Sequence, residues 1–89
     1  METFNFKISV PGGLHARNAM ILSKKSAEYQ SEILILKENT TANAKKVMDI
    51  MLLRAARGDD IVVLIEGPDE IAAMEDLKQF FLSNFGNNA

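Results

Sequence analysis

The chain has no cysteine and no tryptophan in its 89 residues. Without thiols there can be neither a disulfide framework nor a thiolate site, and a reducing, cytoplasmic compartment is the expectation. No apolar run approaches the length of a membrane span, and the opening Met1-Glu2-Thr3-Phe4 does not read as a signal peptide, so no membrane insertion is expected. Aromatic residues are scarce: five Phe and one Tyr. With no sheet-aromatic RNA signature and a formal net charge of -2, nucleic-acid binding is excluded as an expectation. Internal repeats, linkers and low-complexity tracts are also missing, and there is a single histidine.

What is present is enough for one compact domain spanning 1–89, because 47% of the residues are apolar and can build one core. The charge is uneven along the chain. Residues 1–57 hold nine Lys or Arg against five acids, and residues 58–89 hold one against seven. The histidine lies in the basic part, which suits an acidic or phosphate-bearing partner surface, although ordinary solvated charge gives the same pattern.

Thr3 to Val10 alternates, with Phe4, Phe6, Ile8 and Val10 on one face, as in a half-buried strand. Pro11, Gly12 and Gly13 end it. Ala16 to Tyr29 then reads as a helix with Ala19, Leu22, Ser26 and Tyr29 inward. Ser31 to Lys37 is a strand, Glu38-Asn39 a turn, and Thr40 to Asn43 a short edge strand. Lys45 to Ala56 is the second helix, closed by Gly58, with Val47, Ile50 and Leu53 on one face and Met48, Met51, Leu52 and Ala55 on the neighbouring one. Such a second apolar face is either wedged between layers or offered to a partner, and methionine adapts well to partners. Ile61 to Ile65 is a central strand. The last helix runs from Asp69 or Glu70 to Phe85, with Ile71, Met74, Leu77, Phe81 and Phe85 inward, Gly86 as its stop and Asn87 to Ala89 frayed. The order βαββαβα suits an α+β layer pair, an antiparallel sheet with helices on one face.

The chemistry concentrates at Pro11-Gly12-Gly13-Leu14-His15-Ala16-Arg17-Asn18-Ala19. The glycines allow a tight turn, and a helix starting at His15 or Ala16 aims its unpaired N–H groups, those of Ala16 and Asn18 among them, at whatever the imidazole carries. Those donors favour an anion. Arg17 adds a guanidinium within a turn, so a phosphoryl group on His15 would meet backbone dipoles and a positive fork together. An imidazole is largely neutral near pH 7 and can act as a nucleophile without a separate base. A histidine in such a loop is also commonly just a solvated side chain. No metal cluster and no cofactor motif accompany it.

Gly13-Leu14-His15-Ala16-Arg17-x-Ala19 resembles the active-site signature of the HPr phosphocarrier family of the bacterial sugar phosphotransferase system. Asn43-Ala44-Lys45-Lys46-Val47-Met48 and Ile50-Met51 resemble the same family's second-helix region, and Gly58, Gly67, Asp69 and Glu70 also fit. The resemblance implies the HPr open-faced β-sandwich, four antiparallel strands with three helices on one side. It also implies that phosphorylated enzyme I passes a phosphoryl group to His15, that Arg17 helps neutralise it, and that an enzyme IIA removes it. The carrier is expected to be a monomer, with Met20, Lys24, Ala27, Met48, Met51 and Leu52 as docking residues.

Three departures bear on this. Asn18 stands where relatives commonly have proline, whose preset dihedral would stiffen the helix start. Lys46 occupies the position of the serine that a dedicated kinase phosphorylates in many relatives, so that branch of regulation is expected to be absent. Asp49 stands where relatives tend to have a small residue and adds a charge at the docking face, unless it pairs with Lys45 at i, i+4. A non-carrier HPr paralogue, acting as a regulatory protein-binding module through Met48 and Met51, is the alternative. The retained His15 and Arg17 weigh against it.

Overall fold

A computed structural model of the chain describes residues 1–86. Its elements are β1 (Glu2–Lys7), α1 (Ala16–Ser26), β2 (Glu32–Lys37), β3 (Thr40–Asn43), α2 (Val47–Leu52), β4 (Asp60–Glu66) and α3 (Glu70–Leu82). The strands form one antiparallel sheet in the order β1-β4-β2-β3. The three helices cover one face, as expected for the α+β sandwich. On that face Phe4, Ile33, Ile35, Ala42, Ile61, Val63 and Ile65 are buried, while their neighbours along β2 and β4, Leu34, Leu36, Val62 and Leu64, are only half-buried on the other. Ala19 and Leu22 of α1, Ile50 of α2, and Ala73, Leu77 and Phe81 of α3 complete the core. Phe81 meets Phe4 and Phe6 edge to face, at 5.7 and 5.1 Å between ring centroids.

Several boundaries differ from the sequence reading, each for a local reason. β1 stops at Lys7. Ile8 and Val10 stay buried beyond it, and Ile8 still exchanges backbone hydrogen bonds with Asp59 and Gly58. α1 ends at Ser26, leaving Tyr29 half-buried past the helix with its hydroxyl donating to Asp76 Oδ2 at 2.6 Å. α2 spans only Val47–Leu52, not Lys45 to Ala56. Lys46 is its extended N-cap, and Arg54, at φ +53°, turns the chain out of the helix four residues before Gly58. The Lys37 ammonium then accepts the role of C-terminal cation, donating to the carbonyls of Leu53 and Arg54. That turn also buries Ala55, which helical spacing had placed with the methionines.

In α3, Ile71 is exposed rather than inward, because at 3.6 residues per turn it lies about 120° around the helix from Leu77, whereas Ala73 and Phe81 lie within about 40° of it. Phe85 is buried as expected, but in a left-handed turn after the helix has ended, its N–H donating to Phe80 O. The chain therefore reverses at Asn84 and Phe85, ahead of Gly86. The fraying expected for Asn87 to Ala89 lies outside the described residues.

Candidate functional site

His15 is the N-cap of α1, in extended conformation, with Nδ1 accepting the Arg17 backbone N–H at 3.3 Å. A side-chain acceptor at an N-cap satisfies one of the helix's orphan donors, a task usually given to Ser, Thr, Asp or Asn. Here the imidazole does it, and the positive end of the helix is thereby set against one ring nitrogen. The other ring nitrogen, Nε2, lies 3.4 Å from Asn18 Nδ2, which also donates to Gly13 O at 2.9 Å. The ring is held at Nδ1 and faces the Asn18 amide at Nε2, while His15 itself remains exposed.

The two glycines are needed in different ways. Gly12 has φ +82°, and a Cβ there would come within 2.8 Å of the imidazole Cδ2, so its missing side chain is the space the ring occupies. Gly13, at φ +66°, is pressed against the backbone of Ala55 and Ala56. Leu14 N–H donates to Ala55 O at 2.8 Å in the same place. The β1–α1 and α2–β4 connections are thus joined backbone to backbone. Between them is an open cleft of about 300 Å³ lined by Gly12, Leu14, His15, Met51, Arg54 and Ala55, among others. Among the described residues no group of acids and histidine could hold a metal ion.

The residues named from the sequence fall into three sets. His15, Ala16 and Met51 meet at the cleft, with the Arg17 backbone against the ring. Met20 (55% exposed), Lys24 and Ala27 lie along one exposed stripe of α1, and Met48 (69%) and Leu52 (67%) are exposed on α2, which packs against α1. The second apolar face of α2 is therefore not wedged into the core. Asp49 forms the third set. It is half-buried, and its Oδ2 accepts the Asn43 N–H at 3.2 Å, tying β3 to α2, while Lys45 donates instead to Tyr29 O.

Sequence reasoning missed Arg54, which lines the His15 cleft where the left-handed turn ends α2 early. It also missed the Asn18 amide, having read that residue for its helix N-terminal backbone and for the proline it replaces. A polar residue three positions after a candidate N-cap histidine is the signal that was available.

The family model for the PTS HPr component phosphorylation site matches residues 2–83. The chain belongs to the HPr family. It is 37% identical over 76 residues to the phosphocarrier protein HPr of Buchnera aphidicola, covering 85% of this chain and 89% of that one. Against the Treponema pallidum phosphocarrier protein HPr it is 32% identical over 73 residues, 82% and 83% of the two chains. The crystal structure of an HPr from Thermoanaerobacter tengcongensis superposes with a TM-score of 0.92 at 33% identity, covering 98% of each chain. The open-faced sandwich implied by the sequence motifs is thus the fold of this HPr-family chain. No helix among its described residues is long and apolar enough to cross a membrane.

Proposed function

We propose that the protein is a cytoplasmic, monomeric phosphocarrier, a single domain over 1–89, that takes a phosphoryl group from phosphorylated enzyme I on His15 and surrenders it to an enzyme IIA. The observation that carries this reading is the Arg17 N–H at Nδ1 of an exposed imidazole. A lone pair that accepts a helix N-terminal donor is already aimed at the place where an anion is favoured. Nδ1 attacks phosphorus, the donor's bond to phosphorus breaks with its electron pair returning to the donor, and the phosphoryl oxygens inherit the Arg17 N–H. Arg54 lines the same cleft, and the Arg17 guanidinium is the second cation we assign to the phosphoryl oxygens. Residues Met20, Lys24, Ala27, Met48, Met51 and Leu52 form the docking face, with Asp49 at its margin. Lys46, having no hydroxyl, removes the serine-kinase branch.

Incubation with enzyme I and phosphoenolpyruvate should add the mass of one phosphoryl group, labile in acid and stable in base. His15→Ala should abolish it. A wild-type protein that gains no mass with the enzyme I of its own source would overturn the carrier reading, and light scattering of the same sample tests the monomer.

A further inference from the structure

The buried side chain of Asn18 bears on the site in a way that its position on α1 alone does not reveal. It is 1% exposed, and its Nδ2 stands 2.9 Å from Gly13 O and 3.4 Å from His15 Nε2. The Gly13 contact fixes which end of the amide is nitrogen, because a carbonyl can only accept. An amide nitrogen has two hydrogens; with one directed at Gly13 O, the same atom brings a second N–H to the ring nitrogen. On the other edge of the ring the Arg17 N–H faces Nδ1.

Both ring nitrogens therefore face donors. A neutral imidazole has one lone pair and one N–H, so either tautomer satisfies one donor and opposes the other, and the imidazolium ion satisfies neither. A ring with phosphorus on Nδ1 and no proton on Nε2 satisfies both: the phosphoryl oxygens take the Arg17 N–H, and the Nε2 lone pair takes the Asn18 N–H. The donor set fits the loaded carrier better than the empty one.

We propose that Asn18 is a positioning residue whose amide holds Nε2 of the phosphorylated ring as an unprotonated acceptor, and so protects the Nδ1–phosphorus bond until an acceptor protein docks. This rests on the carrier reading above. When that bond breaks, its electron pair returns to Nδ1. With a proton on Nε2 the leaving group is neutral imidazole; without one it is the imidazolide anion, a far poorer leaving group. Transfer to a nucleophile that bears one exchangeable hydrogen balances if that hydrogen, lost as phosphorus is gained, replaces the one Nε2 must acquire. Water balances in the same way, its hydrogen going to Nε2, and for every nucleophile the Asn18 N–H opposes that protonation; a docked acceptor differs in holding its nucleophile in line at phosphorus. The charged residue lining the ring's cleft is Arg54 from the α2–β4 connection, Arg17 on α1 meets the ring through its backbone N–H, and the β1–α1 connection from Ile8 to Leu14 carries no charged residue. They are the same in every variant compared.

The test uses protein loaded by enzyme I and phosphoenolpyruvate, labelled with ¹⁵N, and followed by ¹⁵N and ³¹P resonances from pH 8 to pH 5. In Asn18→Leu, which keeps the branching at Cγ and removes the amide, Nε2 should take up its proton about one pH unit higher, and the phosphoryl group should be lost about tenfold faster near pH 6. At pH 9 the two proteins should lose it at the same rate. Equal pH profiles in two folded proteins would overturn the proposal, as would phosphorus bound to Nε2. Should Asn18→Leu fail to fold, the loaded wild type decides alone, since a scalar coupling between Asn18 Nδ2 and His15 Nε2 is required and its absence is a refutation. Failure of enzyme I to load the wild type counts against the carrier reading only, because phosphoramidate then loads the ring chemically and the same comparison is read.

Discussion

Replacing Met48 with aspartate separates docking from folding. Met48 is 69% exposed in the first turn of α2, so a carboxylate there stays in water in the free protein. Near a helix N-terminus it gains roughly 0.3–1 kcal/mol from the backbone dipole. For a domain of this size 1 kcal/mol corresponds to about 4–8 °C in Tm, so Met48→Asp should leave the melting temperature unchanged or raise it by a few degrees. At an interface the sign reverses. Desolvating the carboxylate against a partner's apolar surface costs several kcal/mol, and even about 3 kcal/mol weakens Kd by roughly a hundredfold. The control is Ile50→Ala, two residues along and fully buried. It should cost about 2–5 kcal/mol of stability and leave the affinity of the folded fraction unchanged. Calorimetric titration with enzyme I and thermal melting of both variants read the contrast. A fall of about 8 °C or more in Tm for Met48→Asp, with Kd within twofold of wild type, would refute the reasoning.

Gly12→Ala should push the imidazole out of its place, since the new Cβ meets Cδ2 at 2.8 Å. Phosphoryl acceptance should slow more than tenfold while stability falls by no more than the roughly 1–2 kcal/mol cost of a left-handed alanine, measured by single-turnover loading and melting. Asp69 should make the fold acid-sensitive. Its carboxyl is held below the usual carboxylate range by the Ser31 hydroxyl first, and by the Gln30 and Ser31 backbone N–H groups. A lowered folded-state pKa contributes stability that is complete above the unfolded-state value and disappears as pH falls through the folded one, so Tm should drop below about pH 4 and the drop should be smaller in Asp69→Asn. Lys46→Ser should stabilise α2 by about 0.5–1 kcal/mol in melting, because its N-cap now makes no side-chain hydrogen bond, and HPr kinase should modify only the variant.

The sequence made the strands and the three helices legible because each carries its period openly: Phe4 and Phe6 alternate, Ile61 to Ile65 is β-branched, and Leu77 and Phe81 are a helical turn apart. It was less informative where a neighbour decides the outcome. α2 looks six residues longer in its apolar pattern than it is, because nothing local reveals that Lys37 will take the Leu53 and Arg54 carbonyls and stabilise an early exit. Ile71 is apolar, yet it lies off the helical phase that buries Ala73, Leu77 and Phe81, and the apolar pattern alone did not show which phase faces the sheet. At the site, His15 and its N-cap position could be read from the motif. The tie between Asn18 and Nε2 could not, since it depends on Gly13 turning its carbonyl back toward the helix, and the approach of Arg54 depends on two connections meeting across the sheet.

That meeting has a consequence for how the protein is made. The backbone bonds from Ile8 to Asp59 and from Gly58 to Ile8 continue the β1–β4 ladder, and the bond from Leu14 to Ala55 joins the connections beyond it; the partners are far apart in the chain. Pairing over such separations is the slow, late part of folding. On a translating ribosome His15 emerges well before the strand that completes its surroundings, so a nascent chain ending ahead of β4 would display the motif without the cleft. The buried Leu14 amide should then exchange with solvent only when the β1–β4 pairing opens, which ties phosphoryl acceptance to the finished fold.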